Sequence, residues 1–402
     1  MKTTPDLRTA LLLPGILLIA TTLRVAFTGV APLLDTLREV FGLTTAQTGL
    51  LTTLPLMAFA VVSPLAAAIA NRVGTERSLG AALLLICLGI ILRSSGLVTL
   101  LFFGTALIGC GIAMGNVLLP GLIKRDFPGK VARLTGAYSL TMGVAAALGS
   151  LMVIPLMEWG AGWQGALLGL MLFPLLALCL WLPQLTCRSA DRIGTGSALS
   201  SRTVWHSALA WQVTLFLGIN SLIYYVIIGW LPSILVSNGY SELQAGSLHG
   251  LMQLATAAPG LFIGLLLSKL SDQRGIAILV SLLCGVAVTG LWLYPGLATL
   301  WVMLFGFGSG ATMILGLTFI GLRASSAHQA AALSGMAQCV GYLLAACGPP
   351  LMGRVHDLDG GWSIPLLSIA LLSVIMALSG AASGRDRAIA AAGDIQPGCR
   401  LE

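Results

Sequence analysis

Charged side chains are the scarcest class in this sequence, 9% of 402 residues, against about a quarter in an ordinary soluble domain. That shortage excludes a chain with a mostly solvated surface. Aromatic residues are also few, at 7%, and no succession of alternating ten-residue strands occurs, which excludes a spanning β-barrel with aromatic girdles. There is no CxxC and no HExxH, so neither a redox dithiol nor a zinc protease is indicated. Six of the eight cysteines (Cys87, Cys110, Cys179, Cys284, Cys339, Cys347) fall in apolar runs, leaving no pair for an extracellular disulfide. The clusters Gly109, Gly111, Gly115 and Gly306, Gly308, Gly310 lack the lysine and strand of a phosphate loop; they read as places of close helix approach. No Ser, His and acid set falls at membrane depth, so no enzyme activity, cofactor or metal is expected.

What is present is apolar length. Hydrophobic residues fill 57% of the chain, which predicts an all-α integral membrane protein. Runs of about twenty residues, enough to cross a bilayer, lie near 10–34, 47–70, 79–95, 99–123, 134–157 and 163–183, then near 208–231, 244–268, 276–294, 298–321, 330–351 and 362–382. Twelve transmembrane helices are therefore expected. Lys2, Arg8 and the apolar stretch after them imitate a secretory signal, but the run continues past Thr22 without a small-residue cleavage site, so a retained first span is predicted. Placing both termini in the cytoplasm puts seventeen Lys and Arg inside and three outside (Arg38, Arg93, Arg354), with Arg24 completing the 21. Positive residues collect in cytoplasmic loops, so the net charge of +7 reflects orientation in a membrane and not binding to nucleic acid.

A weak repeat divides the chain. Gly42, Gln47 and Gly49 recur 197 residues later as Gly239, Gln244 and Gly246, while Gly136, Gly149 and the pair Gly162–Trp163 recur 199 later as Gly335, Gly348 and Gly361–Trp362. A polar stretch separates the two sets. The expected plan is a six-helix half at 1–183, a cytoplasmic linker at 184–207, a second six-helix half at 208–382 and a tail at 383–402, the parallel-repeat plan in which solute binds between rocking halves.

Arg24 stands alone inside the first span. A charge there costs about 3 kcal/mol on insertion scales, so such residues usually face a cavity or a partner. Thr21, Phe27 and Thr28 share its helical face by spacing. On the eighth span His249, Gln253 and Thr256 form a second stripe; an imidazole there either exchanges a proton with outer water or is hydrogen-bonded between helices. Asn116, Asn220 with Tyr224, and Gln338 with Ser334 and Tyr342 add isolated polar groups; each either lines a cavity or joins helices. Asp35, Glu39, Glu158 and Glu242 all map to outer ends, so the cavity is expected to hold a cation and no carboxylate. It suits a small anion or a neutral polar ring.

TLRVAFTGVAPLLDTL at 22–37, LTTAQTGLLTTLPL at 43–56, GNVLLPGLIKRDFP at 115–128, ARLTGAYSLTMG at 132–143 and GLRASSAHQAAALSGMAQ at 321–338 resemble the major facilitator superfamily, and within it the cyanate and nitroimidazole transporter family. The superfamily's loop motif, roughly G-x-x-x-D-R-x-G-R, is matched by Asn71-Arg72-Val73-Gly74 with Glu76 following, and in the second half by Asp272, Arg274 and Gly275. By that resemblance Arg72, Glu76, Asp272 and Arg274 serve a cytoplasmic gate; Asn71 departs from the usual aspartate. Thr22 and Val25 replace the Asn and Pro that the family usually places around the arginine, which keeps the solute open. The resemblance implies a monomeric secondary transporter in a bacterial-type inner membrane, working by alternating access. Its solute would be a 2-nitroimidazole-like compound moving outward, with import or exchange of a small anion such as cyanate as the alternative, and protons as a candidate coupling ion. A passive channel or a solute sensor is a third, less supported class.

Overall fold

The computed structural model describes residues 7–127, 131–186, 204–261, 272–325 and 327–389. Most of the expected linker at 184–207 and of the tail at 383–402 lies outside these residues, as does the side chain of Asn71. Among the described residues there is no β-strand.

The first half comprises α1 (Leu7–Thr28), α2 (Leu34–Phe41), α3 (Thr45–Val73), α4 (Thr75–Arg93), α5 (Val98–Asp126), α6 (Val131–Leu156), α7 (Gly162–Gly169) and α8 (Leu172–Trp181). The second comprises α9 (Ala208–Ser237), α10 (Glu242–Ala257), α11 (Arg274–Leu293), α12 (Ala298–Arg323), α13 (Ala327–Asp359) and α14 (Ser363–Ser383). Among the described residues nine segments are long and apolar enough to cross a bilayer, one of them running from Leu140 to Thr186. α10 and α13 are not among them. α10 has 16 described residues before the 3-10 turn at Ala258–Leu261, and α13 carries Gln329, Gln338, Arg354 and Asp357; both helices pack across the contact between the halves.

Two boundaries differ from the sequence reading. The first span runs beyond residue 34, because the ladder breaks after Thr28, passes through a 3-10 turn containing Pro32 and resumes as α2 with Leu34 and Leu37 buried. Proline has no N–H to continue the ladder, which favours such a break. The sixth span is two short helices, α7 and α8, instead of one.

The repeat has a physical content that spacing alone did not reveal. Thr44 and Ser241 both cap the next helix in a capping box, each side chain accepting from the backbone of Gln47 or Gln244 and each glutamine returning the bond. Gly42 and Gly239 sit just before with φ of 62° and 90°, the left-handed region that favours glycine. At the opposite membrane face Arg125 grips Glu76 and Arg323 grips Gln273, 2.7 Å and 2.6 Å. In each half the end of the fourth span thus holds the loop between the second and third.

The halves meet along two antiparallel seams on the face that carries Asp35, Glu242 and Asp357. In one, α3 crosses α13: a Cβ on Gly49 would stand 2.9 Å from the Pro349 carbonyl oxygen. In the other, α6 crosses α10, and a Cβ on Gly246, the repeat partner of Gly49, would stand 3.2 Å from the Ser150 carbonyl oxygen. Thr53 Oγ1 donates to the Ala346 carbonyl at 2.8 Å. That carbonyl lacks its helical donor because residue 350 is proline, and polar groups freed in this way at membrane depth need another partner. On this face the closed seam surrounds a cavity of about 240 Å³, lined by Asp35, Arg38 and Glu39 from one half and Ser233, Glu242 and His356 from the other.

Candidate functional site

Arg24 lies one turn before the end of α1, between Leu23 and Val25, which are packed into the core. Its Nη1 donates to the Tyr224 hydroxyl on α9 at 2.8 Å, and that hydroxyl donates onward to Gln253 Oε1 on α10, also 2.8 Å. The guanidinium carbon is 5.6 Å from the centre of the Tyr224 ring. Gln253 is 1% exposed, and its Nε2 has no hydrogen-bond partner. A single chain of polar groups therefore joins the two halves at mid-depth.

Aromatic rings surround this chain. Phe27 meets Tyr225 edge-on at 5.6 Å, Tyr225 lies 5.3 Å from Tyr224 and 6.4 Å from Tyr342, and Phe59 meets Tyr342 at 5.3 Å. Tyr138, within electrostatic reach of Arg24, donates to Asn116 Oδ1 at 3.4 Å. Four of the chain's six tyrosines are thus gathered near one arginine. Tyr225, Phe59 and Tyr138 were missed by reasoning from polar stripes. Their common signal was available: a tyrosine or phenylalanine near the middle of a span in a chain poor in aromatics.

The remaining candidates disperse. Thr21 Oγ1 donates to the Leu18 carbonyl at 2.7 Å. Thr28 turns toward α6, bonding the Ala146 carbonyl at 3.0 Å. Asn220, one turn from Tyr224, faces α12 instead and accepts from Ser309 at 3.1 Å. Gln338 donates to Ser334 at 3.0 Å and is exposed. Neither residue joins the Arg24 cluster.

His249 is 0% exposed, so outer water does not reach it in this conformation, contrary to the sequence reading. Its Nε2 faces the Ile228 carbonyl at 3.0 Å, which requires a proton on that nitrogen, and its Nδ1 faces Ser150 Oγ at 2.8 Å. Ser150 also lies 3.2 Å from the Ala146 carbonyl. A neutral imidazole accepts the serine proton at Nδ1. A protonated ring would donate there, and the serine could turn its proton to Ala146. The pocket can thus satisfy both charge states, across the α6–α10 seam.

At the opposite face Glu76 is 2% exposed and paired with Arg125, while Trp181 Nε1 donates to the Glu76 carbonyl at 2.9 Å. Hydrogen bonds donated to Asp126 and Glu76 hold the Arg125 guanidinium more firmly protonated than usual despite partial burial. Asp272 and Arg274 form a half-exposed pair 3.2 Å apart within one loop, and Arg72 is exposed. Arg93 corrects the charge map. It was read as an outer loop residue, but it is in the last turn of α4, 1% exposed, with Nη1 donating to the Ala26 carbonyl of α1 at 2.9 Å. Its place at the end of an apolar run hid it, because burial there depends on α1 and α5 closing over it.

Residues 16–346 match the Major Facilitator Superfamily. The chain belongs to that superfamily. Over 378 residues it is 71% identical to the 2-nitroimidazole transporter of Escherichia coli (strain K12), covering 94% of this chain and 96% of that one. The uncharacterized transporter YycB of Bacillus subtilis (strain 168) is 41% identical over 94% of both chains. The cyanate transport protein CynX of Escherichia coli (strain K12) is 27% identical, covering 90% of this chain and 94% of its own. Among solved structures, a bacterial homolog of the human lysosomal transporter Spinster, inward-facing and unoccupied, superimposes with a TM-score of 0.71 at 17% identity over 95% of both chains. The D-xylose–proton symporter gives 0.71 at 15% identity, covering 92% of this chain and 96% of that one. This member of the superfamily is a multi-pass membrane transporter with the twelve-helix fold, and the resemblance read from its motifs is the correct one.

Proposed function

We propose that this transporter carries a small planar solute of the 2-nitroimidazole type outward across a bacterial inner membrane by alternating access, with Arg24 as the anchor. The observation that carries the reading is the Arg24–Tyr224–Gln253 chain, which joins the halves at mid-depth beside a set of aromatic rings. Its support from kinship is the relative named a 2-nitroimidazole transporter. A guanidinium offers several donors in one plane, suited to the two oxygens of a nitro group, and the rings suit a flat heterocycle. In this reading Arg24, Tyr224 and Gln253 touch the solute and Thr21 and Asn116 border it. Thr28 and Asn220 keep their contacts between helices, and Gln338 keeps its bond to Ser334 within α13. The chain is not an enzyme.

The two six-helix halves, 1–183 and 208–382, rock about this site as a monomer, with both termini cytoplasmic as the Lys and Arg bias supports. The seam at Asp35 is then the outer gate, closed here, and Arg72, Glu76, Asp272 and Arg274 belong to the inner one. His249 bridges the outer seam and is the candidate for proton coupling. Import or exchange of cyanate is the second reading, favoured by the lack of any acidic partner for Arg24 among the described residues and by kinship to a cyanate transport protein. Flux of 2-nitroimidazole, cyanate and nitrate in vesicles of both orientations, with and without a protonophore, tests direction, solute and coupling together. Arg24→Ala is expected to abolish flux while the protein still inserts, and Arg24→Lys to impair it, since one ammonium cannot copy the planar fork. Normal saturable transport by Arg24→Ala would remove the assignment.

A further inference from the structure

The Tyr224 oxygen accepts from Arg24 Nη1 and donates its single hydrogen to Gln253 Oε1. The Gln253 Nε2 is thereby left as a donor with no acceptor on a residue 1% exposed. Tyr138 spends its hydrogen on Asn116 Oδ1 in the same way, which leaves the Asn116 Nδ2 as a further donor. Both amide oxygens near the arginine are therefore occupied by phenol hydrogens. What the site still offers is a set of N–H groups: Nε and Nη2 of Arg24, Nε2 of Gln253 and Nδ2 of Asn116.

Charge points the same way. The guanidinium keeps its proton at any accessible pH, and its one hydrogen-bonded partner is a neutral phenol. Among the described residues no Asp or Glu lies within the spans beside it; the one deeply buried carboxylate, Glu76, is held by Arg125 at the far face. A neutral ring with its own N–H finds many donors here and few acceptors, and it leaves the charge uncancelled. A triatomic anion cancels the charge but adds no aromatic contact to the Phe27, Tyr225 and Tyr342 cluster.

We infer that the preferred solute of this site is a planar aromatic carboxylate. The carboxylate has the flat two-oxygen shape of a nitro group, adds the missing negative charge, and forms the stronger charge-assisted hydrogen bonds with a guanidinium. Its ring matches the aromatic side chains gathered around Arg24, with which edge and face contacts are favourable. The inference rests on the reading of Arg24 as the solute anchor.

Benzoate, nitrobenzene and benzamide separate charge from shape, because all three are flat and of nearly equal size. Equilibrium binding of each to the purified full chain in nanodiscs at neutral pH is expected to rank benzoate first, by about tenfold or more over nitrobenzene, with benzamide weakest because it brings an unmatched donor. Gln253→Leu should cost benzoate about tenfold, and Gln253→Glu should cost it far more by placing a like charge beside it. Thermal melting of each variant shows whether it is folded, and Tyr224→Phe, which frees the Gln253 oxygen as an acceptor, should narrow the gap between benzoate and benzamide. Nitrobenzene binding as tightly as benzoate overturns the inference. If 2-nitroimidazole flux depends on Arg24 while benzoate neither binds nor competes, the inference fails and the anchor reading stands. If Arg24→Met leaves binding of both unchanged, both readings fail.

Discussion

Replacing Gly49 by alanine should open the carrier on the face that carries Asp35. A Cβ at this position would stand 2.9 Å from the Pro349 oxygen and 3.0 Å from both its carbonyl carbon and Pro350 Cα. These are backbone atoms and cannot rotate aside, so α3 and α13 must separate by about half an ångström to reach ordinary contact, and overpacking of this kind costs about 1–3 kcal/mol. The two helices belong to different halves, so the cost falls on the closed seam and not on either half by itself. A bias of about 1–3 kcal/mol changes a two-state equilibrium by roughly 5- to 150-fold. Pulsed electron paramagnetic resonance between labels at Glu39 and Leu243, in a background lacking exposed Cys179 and Cys347, reads the shift as growth of the longer distance. Gly104→Ala is the control. Its Cβ would meet Arg93 and Gly89 backbone atoms at 2.5 Å within one half, so it should lower thermal stability without moving the distances. Unchanged distances in a folded Gly49→Ala protein would refute the view that this seam is the one that opens.

Three other outcomes follow from the geometry. His249→Gln can still bridge Ser150 and Ile228 as a neutral amide, so vesicle flux should persist but no longer respond to collapse of the pH gradient; a full response would reduce His249 to a tie between helices. Burial, followed by repulsion from Asp35, Glu39 and Glu158, raises the Glu242 carboxyl above the ordinary range. Its folded state therefore holds the proton more tightly than the unfolded one, and the associated stability is full at acid pH and lost as pH rises through the folded value. Glu242→Gln should raise the melting temperature at pH 8 and not at pH 4, and equal melting at pH 8 would count against the repulsion. Glu76→Gln leaves Arg125 with Asp126 but breaks a bond to a buried carboxylate, at a cost of about 1–3 kcal/mol, read by unfolding in detergent.

Much of the fold was legible because a bilayer imposes its rules locally. A span must be about twenty apolar residues wherever it occurs, and loop charge records sidedness segment by segment. Gly42 and Gln47 were visible as a repeat with Gly239 and Gln244 for the same reason, since each pair lies within one short stretch of sequence, whereas the capping boxes at Thr44 and Ser241 came from the structure. Arg24 was legible because its cost inside an apolar run needs no knowledge of what surrounds it. Its partners were not. Tyr224 is 200 residues away, and nothing in the spacing of α9 says that Tyr224 turns to the arginine while Asn220, one turn earlier, turns to Ser309.

By itself, then, the sequence determined the class of molecule, the number of spans, the twofold plan and the expensive mid-span charge at Arg24, all consequences of hydrophobicity summed along a helix. The tertiary structure decided which polar groups meet. It brought Arg24, Tyr224 and Gln253 into one hydrogen-bonded chain, sealed His249 against Ser150, buried Arg93 on the end of α1, and set Gly49 and Gly246 against carbonyls of the opposite half. Hydrogen bonds and close packing act over about 3–4 Å, so they depend on how helices far apart in sequence rotate and cross, and residue order does not carry that information in any local form.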